Sequence, residues 1–194
     1  MSGRGNSGLL WVGGAVLAMV ALRRPAAVAV TAVENYVADS RLNAILPVLQ
    51  TASAQWGVPV SWLAAFAREE SSFNPAAANV ASSGDVARGG SWGLFAMTYT
   101  TAQGLGFTGP VPDASLVVGG HYFGSPDGLM DPATNADLAA HLLSGFIGRG
   151  YGIADAAALY NSGKTLARAP SSTRDTYVPN VVRFQQEYAA LDAA

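Results

Sequence analysis

The stretch VSWLAAFAREESSFNP, Val60 to Pro75, decides how this chain is read. Its apolar residues recur at helical spacing, and the helix must end by Asn74, because Pro75 disfavours helical backbone in the residue before it. Taking Leu63, Phe66 and Ala67 as the buried face places Glu70 at the C-terminal end of the same stripe. A carboxyl there loses solvation and its affinity for a proton rises, as a general acid working near neutral pH requires. Trp62, Ala65, Phe66 and Glu69 satisfy the same spacing, so periodicity alone leaves Glu69 and Glu70 as equal candidates.

Outward from this helix the chain reads as helical throughout, with no alternating β-branched run long enough for a sheet. Leu42, Ile45, Leu46 and Leu49 form one stripe, which Pro47 is expected to bend or split. Leu138, Leu142, Leu143, Phe146 and Ile147 form another, with Thr134 as the expected N-cap and Asp137 in the first turn. Shorter stripes follow at Ile153, Ala156, Ala157 and Tyr160, and at Val178, Val181 and Val182. Gly, Pro, Ser and Asp gather between residues 75 and 93 and from 104 to 134. The second stretch holds Phe107, Tyr122 and Phe123 and is expected to wall a cleft. The fold class is therefore all-α, a helical domain with long loops.

Composition narrows the chemistry. The 194 residues include no cysteine and two histidines, His121 and His141, which excludes thiolate catalysis and cysteine-based zinc sites and leaves no spacing that suggests a metal. No cofactor is expected. Only 12% of residues are charged and the formal net charge is -2, so nucleic acid is not an expected partner. Arg4, Arg23 and Arg24 are the only charges in residues 1–33; the remaining 8 bases face 13 acids, a net of -5. The chain thus divides into an apolar segment, residues 1–33, and a domain, residues 34–194. Within the first, residues 8–22 are uncharged but shorter than a straight membrane-crossing helix requires. A secretory signal, a membrane anchor and a helix packed on protein all fit; an anchor, with Trp11 at one interface and Arg23 and Arg24 at the other, is the expectation.

Four blocks carry a resemblance. Glu70-Ser71-Ser72-Phe73-Asn74-Pro75 resembles the E-S-x-F-N-P signature of the lytic transglycosylase domain, a member of the lysozyme-like superfamily. Gly93-Leu94-Phe95-Ala96 with Thr101-Ala102 resembles the G-L-M-Q block and its T-A pair, and the segment Asp131 to Leu143 resembles the one that precedes the next helix. Ala158-Leu159-Tyr160-Asn161-Ser162-Gly163 resembles A-A-Y-N-A-G, and Tyr177-Val178-Pro179-Asn180-Val181 resembles the closing Y-V-x-x-V. The blocks stand in the family's order over roughly residues 50–188.

The resemblance breaks the tie in favour of Glu70 and implies its role. Glu70 would protonate the bond between N-acetylmuramic acid and N-acetylglucosamine in peptidoglycan, then act as base on the C6 hydroxyl of the muramoyl sugar, leaving a 1,6-anhydro end. Substrate-binding roles fall by the same resemblance on Tyr160, Asn161, Asn79 and Ser71, with the Tyr160 phenol beside Glu70. The family's cleft glutamine is Ala96 here, and its serine nine residues after the glutamate is Asn79. SSGDVARG reads as an inserted loop, and its Asp85 keeps open a goose-type muramidase that hydrolyses the same bond. A non-catalytic glycan-binding component is the alternative outside enzymes. The implied setting is a membrane-anchored envelope protein facing the periplasm or cell wall, or a part of a phage virion or secretion machine that opens the wall locally.

Overall fold

The computed structural model describes residues 27–81 and 88–193. The apolar run 8–22 and Asp85 therefore lie outside the described residues. Residues 37–194 form one compact unit, which contains all of the signature blocks. No helix among the described residues is long and apolar enough to cross a membrane.

Six α-helices are described: α1 (Ala27–Trp56), α2 (Val60–Ser71), α3 (Tyr99–Gly104), α4 (Pro132–Ile147), α5 (Ile153–Ser162) and α6 (Val178–Glu187). The compact unit is mainly helical, but two small sheets correct the expectation of helices and loops alone. β1 (Ala78–Asn79), β2 (Ser91–Trp92) and β3 (Met97–Thr98) form an antiparallel sheet with Ala78 opposite Trp92 and Trp92 opposite Met97. Inside the loop 104–134, β4 (Val117–Val118) pairs with β5 (His121–Tyr122). Strands two residues long carry no alternation to read in a sequence.

Two further corrections concern helix ends. α1 is not split at Pro47, whose position on the exposed side leaves the carbonyl that lost its donor open to water. At α4 the cap is Asp131, not Thr134: the Asp131 carboxylate accepts from the Thr134 N–H (2.9 Å) and hydroxyl (2.7 Å), and Pro132 occupies the first helical position. Burial opposes this carboxylate's charge, yet its hydrogen bonds win, and Asp131 ionises below the usual aspartate range.

α2 lies at the centre. Leu63, Ala64, Ala65, Phe66 and Ala67 are all fully buried, so the helix is enclosed on every side, packed against α6, α4 and the C-terminal turn. Its N-terminus has no local cap. Asp192, from the turn Ala189–Ala193, accepts there from the Ser61 N–H (2.8 Å) and hydroxyl (2.6 Å), a carboxylate at the positive end of the helix dipole.

Candidate active site

The exit of α2 shows what each residue of the Glu70–Pro75 signature does. Ser72 (φ 51°) and Phe73 (φ 61°) both adopt left-handed backbone, unusual for residues with a Cβ, and the Phe73 N–H returns to the Ala67 carbonyl. Burial of the Phe73 ring, 1% exposed, holds this strained turn in place. Asn74 closes a side-chain turn on the Ala76 N–H (3.1 Å), and Pro75 prevents the helix from resuming. Ser71 donates its hydroxyl to the Leu94 carbonyl (2.7 Å) and the Ala67 carbonyl (3.0 Å). Ser71, expected to bind substrate, thus ties the end of α2 to the next turn.

That turn, Gly93–Ala96, connects β2 to β3 and faces the site. Gly93 is required there: its φ is +74°, and a Cβ would stand 2.6 Å from Asn135 Nδ2 and 2.8 Å from the Leu129 carbonyl oxygen. Asn135, on α4 and fully buried, donates to the carbonyls of Trp92 and Leu129 (2.9 Å each) and accepts from the Phe95 N–H (2.8 Å). Ala96 (φ 45°) completes the turn in left-handed backbone and presents a methyl group where the resemblance expects an amide.

Glu70 ends α2 half-buried, and its Oε1 accepts a hydrogen bond from the Tyr177 hydroxyl. Tyr177 closes a π-helical turn, Thr173–Tyr177, that leads into α6; such turns often mark functional sites. The Tyr160 phenol packs on Phe66 (5.0 Å between ring centres) and donates to the Phe95 carbonyl (2.7 Å), while the charge of Glu70 reaches it. Burial foremost, then Glu70, pushes both phenols well above the usual tyrosine range, so each stays a donor at neutral pH. Tyr160 is therefore beside Glu70, but the phenol bonded to the carboxylate is that of Tyr177. The closing Y-V-x-x-V block contained Tyr177 without disclosing this contact, because 107 residues separate the pair.

Glu69 points elsewhere. Its Oε1 accepts from Asn180 Nδ2 (3.3 Å), and burial raises its proton affinity against the opposing effects of Asn180 and Arg183. Asn161 is exposed and accepts from the Thr173 hydroxyl (2.7 Å); with Tyr160 and Ala96 it lines a cavity of about 410 Å³. Asn79 is exposed on β1, where its Oδ1 accepts from the Ala81 N–H (3.2 Å). Among the described residues no cluster of His, Cys, Asp or Glu could hold a metal.

A family model described as the transglycosylase SLT domain matches residues 47–177, more than half of the chain. This chain belongs to that family. The SLT domain is a lysozyme-like fold associated with peptidoglycan cleavage of the lytic transglycosylase type, and the matched span runs from α1 to Tyr177. No curated protein matches the chain.

Proposed function

We propose that this SLT domain is a lytic transglycosylase that cleaves the β-1,4 bond between N-acetylmuramic acid and N-acetylglucosamine, with Glu70 as sole general acid and base. The observation that carries the reading is the bond from Tyr177 to Glu70, which orients one carboxylate of the Glu69–Glu70 pair next to Tyr160. Glu70 gives its proton to the bridging oxygen as the C1–O bond breaks. The N-acetyl group of the muramoyl sugar stabilises C1 in the interval. Glu70 then takes the proton from the C6 hydroxyl as that oxygen closes onto C1. No water enters, Glu70 ends protonated as it began, and a second carboxylate is not needed.

Release of muropeptides from purified sacculi by the full chain tests this, wild type against Glu70→Gln. Removal of the general acid is expected to lower turnover by about 10²- to 10⁴-fold; equal rates would refute the role of Glu70. Mass spectrometry of the products separates the outcomes, since 1,6-anhydro ends are one water lighter than the reducing ends a muramidase leaves. Binding of muramoyl glycan by the wild type without turnover would instead mark a non-catalytic component. We further infer that residues 8–22 tether the domain to an envelope membrane, facing the periplasm or wall, or seat it in a virion or secretion assembly that opens the wall locally. Flotation of the full chain with anionic vesicles tests the membrane arm.

A further inference from the structure

The 410 Å³ cavity that Tyr160 and Asn161 border has an asymmetric chemistry. Its apolar floor is Met97, Leu142, Phe146 and Leu159. The hydroxyls around it already have partners: Thr98 and Thr101 bond each other (2.7 Å), Ser162 donates to the Ala158 carbonyl (2.8 Å) and Tyr160 to Phe95. Two donors remain. One is the amide of Asn161, whose Oδ1 is held by Thr173, leaving Nδ2 as the donor end. The other is the guanidinium of Arg88, the single charged group among the described lining residues. Thr100 fixes the Arg88 backbone at the rim, donating both its N–H and its hydroxyl to the Arg88 carbonyl (3.1 Å each). A site with one cation, an amide donor, no acid among its described lining residues and an apolar floor fits a carboxylate on a short aliphatic arm.

We propose that this cavity is a carboxylate subsite, in which Arg88 and the Asn161 amide bind an acidic group carried by the muramoyl strand while the floor packs against the arm that bears it. The inference rests on the peptidoglycan reading and adds to it the part of the substrate recognised beyond the sugar rings. Such recognition suits a domain whose net charge of -5 supplies no general attraction to an anionic polymer. Muramoyl strands offer two sources of such a carboxylate: the lactyl group, free when no peptide is attached, and the attached peptide. A polymer of N-acetylglucosamine alone offers neither.

Calorimetric titration in the full-length Glu70→Gln background, which leaves the ligand intact, separates these possibilities. The ligands are a peptide-bearing muramoyl tetrasaccharide, the same glycan stripped of peptide, and chitotetraose. Adding Arg88→Ala is expected to weaken binding of a carboxylate-bearing ligand about tenfold and to flatten its salt dependence, so that its advantage over chitotetraose collapses. Arg88→Lys should restore part of that advantage, because it returns the charge without the planar fork. Loss with the peptide-bearing ligand alone assigns the peptide carboxylate, and loss with the stripped glycan assigns the lactyl group. If Arg88→Ala binds the muramoyl ligands as the background does, or loses equally on chitotetraose, the subsite is overturned while the peptidoglycan reading stands. Absence of binding to any muramoyl ligand, together with intact sacculi after treatment with wild type, would overturn both.

Discussion

Tyr177→Phe is the most discriminating change at this site. It removes one hydroxyl and leaves the ring, 8% exposed, in the core, so no cavity forms. The bond it deletes runs to the Glu70 carboxylate. Hydrogen bonds to charged groups are worth about 1.5–3 kcal/mol, and each 1.36 kcal/mol is a factor of ten in rate, which predicts a fall of about 10- to 150-fold in turnover. Tyr160→Phe is the matched control. Its hydroxyl serves the neutral carbonyl of Phe95, a bond worth about 0.5–1.5 kcal/mol, so the fall should be about two- to tenfold. Initial rates of muropeptide release from sacculi, with thermal unfolding of both variants as a check on folding, provide the comparison. A Tyr160→Phe enzyme as impaired as Tyr177→Phe, both folded, would contradict the assignment of Tyr177 as the residue that orients Glu70.

Other expectations come from the surroundings. Burial raises the Glu69 pKa above its ordinary 4.5, so its ionisation costs stability as pH climbs through 4.5 and the full penalty is present above the folded-state value. Glu69→Gln should therefore melt higher than wild type at pH ~7, lose that advantage below pH ~4, and keep cleaving sacculi, unlike Glu70→Gln. Asp192→Ala uncaps α2 and should lower stability by about 1–2 kcal/mol, seen as a drop of roughly 2–8 °C in melting temperature, with activity retained at low temperature. Asn135→Ala strands the carbonyls of Trp92 and Leu129 and the N–H of Phe95 in the core; at about 1–3 kcal/mol for each group it should unfold the domain in far less denaturant than wild type, and a midpoint unchanged in urea would show that the turn does not depend on it.

The sequence placed the helix that carries Glu69 and Glu70 and its end correctly, because Pro75 and the apolar run from Leu63 act locally. It could not divide Glu69 from Glu70 by pattern. α2 is enclosed on all sides, so a one-sided stripe was the wrong template for it, and both carboxyls sit at the edge of the same core. Asn135 was missed in the sequence: it is a polar residue on an apolar stripe, with Leu138 three and Leu142 seven positions on, but which groups it satisfies depends on a turn 40 residues away.

By itself, then, the sequence determined the helical class, the family signature and the candidate pair of acids, all of which depend on residues close together in the chain. Only the tertiary structure decided that Tyr177 holds Glu70, that Tyr160 holds the Phe95 turn, that Asp192 caps α2 and that Arg88 borders a cavity with Asn161. The physical reason is the same in each case. A buried carboxylate, an uncapped helix end or an unpaired carbonyl must find a partner, and the chain supplies that partner from whichever segment the packing of the core brings near.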